Sequence, residues 1–186
     1  GHVGVTPDIT VMGKIIGGGF PVGAVGGSVA AMSVFDNLAG PLKVSHSGTF
    51  TANPVTMVAG LASMRALTPE VFSRLAVQGD RLRQGLAREI AAAGLRMRAN
   101  GLGSLTSLQF FEQPIRSYRE FHERSGAGYL QRMQALHRCL LNEGVLMATR
   151  GMLVGSTAMT DADVDETIQR CGAGLRAFAA ADGANT

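Results

Sequence analysis

Lys14 is the residue of this chain best disposed for chemistry. It stands in PDITVMGKIIGGGFPVGAVGG, Pro7–Gly27, between a short apolar run and a glycine-packed segment without another charge. Lysine is a poor choice for a buried strand end, and runs of glycine serve neither helix nor strand. A glycine loop beside a lysine first suggests phosphate binding, yet both common nucleotide fingerprints fail. In the P-loop frame Asp8 stands where the first glycine belongs, and Ile15 where the metal-binding hydroxyl belongs. In the GxGxxG frame Gly17 leads to Val22 in place of the last glycine, and Gly101–Gly103 leads to Thr106. The other chemistry that needs one lysine is imine formation. An amine whose pKa is lowered by burial or by a neighbouring cation condenses with an aldehyde. Flanking glycines then let a ligand or another backbone approach closely. A solvated lysine at a strand end, followed by a flexible loop, accounts for the spacing equally well.

Other chemistries find little support. Cys139 and Cys171 fall on separate expected helices without CxxC spacing, and His2, His46, His122 and His137 lack HExxH or His-x-His spacing. Neither a zinc site nor a disulfide framework is expected, and unpaired thiols fit a reducing cytoplasm. The formal net charge is +3 and the 17 Lys and Arg are dispersed, which argues against nucleic-acid and membrane-surface binding. Ile15–Phe35 carries no charge, but its six glycines and Pro21 disqualify it as a membrane helix. No signal peptide is read at the start. Apolar residues at 46% and charged residues at 17% describe an ordinary globular chain able to bury a core.

These residues need elements to hold them. Val11 and Met12 lead into Lys14 as a short buried strand, and Ala31–Leu38 reads as a helical turn ending before Gly40–Pro41. Asn53–Pro54 is a helix start, a side-chain cap followed by proline at the first helical position. Val58, Leu61 and Met64 follow at three-residue steps. Thr68–Pro69–Glu70 repeats the start signal, and Phe72, Leu75, Leu82, Leu86 and Ile90 fall on one helical face as far as Gly94. Residues 96–111 are rich in turn formers and become strand-like from Ser107 to Phe111. A further amphipathic helix carries Leu130, Met133, Leu136 and Leu140 and stops at Gly144, with Val145–Ala148 as a short strand after it. Thr160 and Asp163 form a capping box for the last helix. Its stripe is Val164, Ile168, Cys171, Leu175 and Phe178, so Cys171 reads as core packing, and Ala180–Thr186 as a frayed tail. The pattern is α/β with a boundary near residue 69. Residues 1–68 form a glycine-rich part, and residues 69–186 run helix, strand, helix, strand, helix.

The stretch around Lys14 resembles the Schiff-base lysine segment of class III pyridoxal phosphate (PLP)-dependent aminotransferases. It is most similar to the glutamate-1-semialdehyde 2,1-aminomutase branch, which carries Gly-Lys-Ile-Ile-Gly-Gly-Gly in this setting. The resemblance implies that Lys14 holds PLP and later moves the proton. HSGTFTANPVTMVAGLASMRALTPE, His46–Glu70, resembles a second block of the family. There the resemblance implies that Gly48 and Thr49 reach the phosphate of PLP bound in the partner subunit, hence a homodimer with its site at the interface. A backbone N–H and a hydroxyl are suitable donors to that anion. LLNEGVLMATRGMLVGSTAMTDADVDETI, Leu140–Ile168, matches the family's C-terminal segment, although Met159 stands where the family commonly has histidine. Some amino-acid-specific relatives bind a substrate carboxylate through an arginine of this region, which makes Arg150 a candidate on the strength of its planar donor fork.

The implied fold is fold-type I, with residues 1–68 as the last part of the large cofactor domain and residues 69–186 as the small C-terminal α/β domain. The implied activity is amino transfer on an amino acid or amino aldehyde, as in glutamate-1-semialdehyde 2,1-aminomutase, with small-molecule donors and acceptors. Transamination of β-amino acids or other class III substrates is the alternative. Family members are more than twice this length, and the aspartate facing the pyridine nitrogen, the stacking aromatic and the main phosphate cup belong to upstream blocks. This chain by itself is therefore expected to turn over negligibly, and a non-catalytic interaction fragment is the rival from another class.

Overall fold

The computed structural model describes residues 4–38 and 40–183, so His2 and the last three residues of the expected tail lie outside it. The chain divides into two compact units, Gly1–Thr68 and Pro69–Thr186.

In the first unit β1 (Ile9–Gly13) and β2 (Gly23–Gly27) pair antiparallel, with Gly13 opposite Gly23. A single 3-10 turn, Lys14–Gly17, begins the connection between them. After β2 come α1 (Val29–Met32), capped by the Ser28 hydroxyl, and a second 3-10 turn, Ser33–Phe35. α2 (Pro54–Ala66) starts as the sequence implies. Asn53 Oδ1 accepts from the N–H groups of Val55 and Thr56 at 3.1 and 3.3 Å, satisfying two of the donors a helix start leaves open.

The expected burial of β1 is not met, and the apolar residues of α2 are exposed as well. Val11 is 81% exposed, and Val58, Leu61 and Met64 all face solvent. β1 carries apolar side chains on both faces and α2 carries them all round, a pattern suited to burial on every side. Among the described residues of this unit only Gly17, Thr56 and Gly60 are buried. A two-stranded ribbon and one helix have too few layers to cover such faces.

The second unit contains α3 (Pro69–Ala92), β3 (Arg98–Leu102), β4 (Leu105–Gln109), α4 (Tyr118–Arg124), α5 (Tyr129–Asn142), β5 (Met152–Val154) and α6 (Asp161–Gly183). The strands form one antiparallel sheet in the order β3-β4-β5, with Thr106 opposite both Gly101 and Leu153. The apolar stripes meet in one core: Leu82, Leu86 and Ile90 from α3; Met133, Leu136 and Leu140 from α5; Val164, Cys171, Leu175 and Phe178 from α6. Burying each large side chain contributes about 1.5–3 kcal/mol. The expected capping box forms reciprocally, with the Thr160 N–H donating to Asp163 Oδ2 at 2.7 Å and the Asp163 N–H donating to Thr160 Oγ1 at 3.3 Å.

Four local expectations are corrected. β3 is an additional strand, joined to β4 through Gly103–Ser104, and α4 is an additional helix, capped by Ser117. Val145–Ala148 is not a strand. Val145 and Met147 are buried in alternation, but the Met147 carbonyl meets His137 Nδ1 at 2.6 Å and the third strand forms at β5 instead. Ala180–Gly183 continue α6, where Asp182 accepts from Arg132 at 3.3 Å. Among the described residues no helix is long and apolar enough to cross a membrane, and no three His, Cys, Asp or Glu side chains gather as a metal site.

Candidate functional site

Lys14 sits where β1 ends. Gly13 is fully extended at φ −168°, and Lys14 turns into the left-handed region at φ 58° to open the 3-10 turn. A residue with a Cβ occupies that region at a cost of about 1–2 kcal/mol and persists there only when its surroundings hold it. Lys14 and Ala52 are the two non-glycine residues with positive φ among the described residues. The turn closes through the Gly18 N–H donating to the Ile15 carbonyl at 3.1 Å, and the Phe20 N–H donates to Gly17 at 3.1 Å. Nothing in the sequence announced the left-handed conformation, because Gly13 before it or Gly17–Gly19 beyond it could have taken the sharp angles.

The side chain of Lys14 is exposed and has no hydrogen-bond or ion-pair partner among the described residues. Burial by neighbours within this chain, expected to activate the amine, is not what surrounds it. Only one other lysine exists in the chain, the exposed Lys43.

Gly48 and Thr49 lie in the loop that enters α2. The Thr51 N–H donates to the Gly48 carbonyl at 3.0 Å, the Asn53 N–H donates to Phe50 at 3.2 Å, and Asn53 then caps the helix. Two successive turns thus fix this loop against a helix start. Neither the Thr49 hydroxyl nor the Thr49 N–H has an intramolecular partner among the described residues, so both remain available as donors. No hydrogen bond links Lys14 to Gly48 or Thr49 within the described chain.

Arg150 belongs to the second unit, at the tip of the turn between Ala148 and Met152. The Ala148 N–H donates to Met152 and the Gly151 N–H to Ala148, both at 2.8 Å. Gly151, at φ 93°, is pressed onto β4: a Cβ there would lie 2.5 Å from the Leu108 carbonyl oxygen, and the Leu108 N–H donates back to Gly151 at 2.8 Å. Only glycine combines that angle with that approach. The Arg150 guanidinium is exposed and without a partner among the described residues, on a backbone that cannot drift. Many of its counterparts are engaged, for example Arg81 with Asp165 and Arg170 with Glu166.

Two other features of the second unit carry no comparable chemistry. Cys171 lies inside the core, where burial first and Glu89 second push its thiol up to about 12. An open concavity of about 440 Å³ lined by Leu82, Val154, Met159, Asp163 and Arg170 has its charges already occupied. Asp163 caps α6, and Arg170 bonds Glu166 and the Glu143 carbonyl. Met159 is half-buried against the core, and its carbonyl accepts from Arg74 and Gln78 at 3.3 Å each, so it serves as scaffold.

A free amine on a strained turn is suited to an aldehyde, and, separately, a free N–H and hydroxyl on a fixed loop are suited to a phosphate. Comparison with known proteins points the same way. The family model described as aminotransferase class-III matches residues 1–173. A glutamate-1-semialdehyde 2,1-aminomutase of Bacillus subtilis is 36% identical over 172 residues, which is 91% of this chain and 38% of that protein. A beta-phenylalanine transaminase of Variovorax paradoxus is 39% identical over 171 residues, again 91% of this chain and 38% of its own length. The crystal structure of an omega-transaminase from Sphaerobacter thermophilus superposes with a TM-score of 0.89 at 43% identity, covering 95% of this chain and 40% of that one. The chain thus spans about two fifths of the length of the proteins it matches.

Proposed function

The chain belongs to the class-III aminotransferase family, and on that premise we propose that it is the lysine-bearing C-terminal portion of an enzyme that moves an amino group on an amino acid or amino aldehyde. Enzymes of this family depend on PLP, and their architecture is the α/β fold-type I. Gly1–Thr68 is then the end of the large cofactor domain and Pro69–Thr186 the small domain. The activity proposed is that of an enzyme of the relatives' length, of which these residues would form part.

When bound, PLP supplies an aldehyde carbon that takes up amino groups and a ring that accepts the electron pair left on Cα. Lys14 would hold the cofactor through Nζ. Its amine, when free, would take and return a proton at the substrate Cα, a task that needs Nζ fixed within hydrogen-bond reach. A backbone held left-handed at the end of β1 fixes where that side chain begins. This strained φ at Lys14 is the observation that carries the proposal. The Thr49 hydroxyl and N–H would donate to the phosphate in the partner subunit of a homodimer. Arg150 would accept a substrate carboxylate into its two-pronged donor set.

The aminomutase-like reading comes first because of the Gly-Lys-Ile-Ile-Gly-Gly-Gly run. The unpaired Arg150 on its rigid turn favours a second reading, transamination of a β-amino acid through its carboxylate. The two part on one requirement: a transaminase needs a separate keto acid as acceptor and an aminomutase does not.

The test of the lysine assignment is covalent. Borohydride reduction of the protein loaded with PLP, followed by mass spectrometry, is expected to find the adduct on Lys14. An adduct confined to Lys43, or none, ends the proposal.

A further inference from the structure

We infer that α2 sets the spacing between the two cofactor-facing segments and that Gly60 is the positioning residue for the Lys14 amine, an inference resting on the assignment of Lys14 to the cofactor. At its N-terminal end α2 receives the Gly48–Thr49 loop directly, through the turns closed by Thr51 and Asn53 and through the left-handed Ala52. Seven residues further along, about 10 Å down the axis, the same helix meets the Lys14 turn. A Cβ on Gly60 would lie 2.2 Å from the Ile16 carbonyl oxygen, and one on Gly18 would lie 2.3 Å from the Ala59 carbonyl oxygen. These are reciprocal backbone-to-backbone approaches that only glycine permits. Thr56, one turn earlier, brings its γ-methyl to 3.7 Å from where a Gly17 Cβ would stand. Gly17, Thr56 and Gly60 are also the buried residues of this unit among those described.

A contact made of main-chain atoms has no rotamer with which to yield, so a displacement of α2 becomes a displacement of the turn. The contact pins Ile16–Gly18, starting two residues after Lys14, which is what keeps the lysine in its left-handed conformation. The two left-handed non-glycine residues, Ala52 and Lys14, stand at the two ends of this path. The phosphate-facing loop and the amine are therefore held in register by one rigid strut rather than placed separately.

The test uses the full chain, PLP as probe, and Lys43 as an internal reference. PLP is added at low concentration, trapped with borohydride, and quantified on each lysine by peptide mapping between about pH 6 and 9. The wild-type chain is expected to label Lys14 in preference to Lys43. Gly60→Ala is expected to lower that preference by about tenfold and to alter its pH profile, since small misplacements of a reacting group carry costs of this order. Thr56→Ser should lower it less, and Val58→Ala, on an exposed face of the same helix, should leave it unchanged. An unaltered preference in folded Gly60→Ala overturns the inference while the lysine assignment stands. If Gly60→Ala loses helical circular dichroism, Thr56→Ser decides, and a wild-type preference there overturns the inference. Equal labelling of both lysines in the wild type overturns the inference, and labelling confined to Lys43, or absent, overturns the assignment as well.

Discussion

In the second unit Leu86, Leu136, Leu140 and Leu175 are sealed off completely, whereas in the first unit Leu61 and Val58, no less apolar, stay in water on α2. Both units contain helices with ample hydrophobic content. The difference lies in the number of layers: α3, α5 and α6 close over a sheet, while α2 packs chiefly against a 3-10 turn among the described residues. The candidate amine lies in the unit without a closed core, so side-chain packing is not what holds it. The turn that follows it meets α2 through main-chain approaches at Gly18 and Gly60. A melting curve of this chain therefore reports the second unit, and the integrity of the site has to be measured separately.

The largest expected effect tests that contrast directly. Leu86→Ala or Leu136→Ala should cost about 3 kcal/mol in denaturant unfolding followed by far-ultraviolet dichroism. Leu61→Ala should change stability by no more than about 0.5 kcal/mol. A comparable cost at Leu61 would abolish the distinction between the units.

Thr160→Ala comes next, with a loss of about 1 kcal/mol from the second unit as the cap of α6 is removed. The Thr160 N–H and then its hydroxyl hold the Asp163 carboxyl below the usual carboxylate range. With its folded value depressed, the group contributes stability above the unfolded value near about 4 and loses it as pH falls through the folded value. Acid titration should show a shallower loss in Thr160→Ala than in the wild type; identical acid limbs would count against the box.

In the first unit Lys14→Gly should remove the left-handed strain and raise local stability by under about 1 kcal/mol. The readout is slower amide exchange at Ile15–Gly18, and Lys14→Ala should not reproduce it. Faster exchange in the glycine variant would show that the conformation is not strained.

The smallest effect concerns the thiols. At about pH 8 a thiol reagent should modify the half-buried Cys139 first and Cys171 only on unfolding. Because the Cys171 thiol is raised in the folded chain, its contribution is complete below the free-thiol value near about 8.5 and declines as pH rises beyond it. Second-unit stability should accordingly fall on the alkaline side, and less so in Cys171→Ala.

Much of this was legible because it is written locally. Asn53–Pro54 and Thr160–Asp163 are caps that act within four residues, and the stripes of α3, α5 and α6 need only a 3.6-residue period. Two missed elements had signals of the same kind. Ser117 with Glu120 is a capping pair ahead of α4, and Gly103–Ser104 between leucines is a two-residue hairpin turn. Val145–Ala148 misled because alternation of buried residues does not name a ladder partner, and His137 takes the Met147 carbonyl. The exposure of Val11 and Val58 was not readable at all, since their sequences specify burial without saying which polypeptide provides it. Lys14 stands out by its type and surroundings, whereas its backbone angle depends on contacts made only in the folded chain.

The turn that displays Arg150 behaves as a fixed mount with an exchangeable fitting. Its shape is owed to the glycine beside it and to the β4 main chain, and the arginine itself contributes no bond to that shape. Replacement there should be mechanically silent, within about 0.5 kcal/mol of neutral. A single codon can thus change the charge displayed at this turn while the architecture underneath stays still.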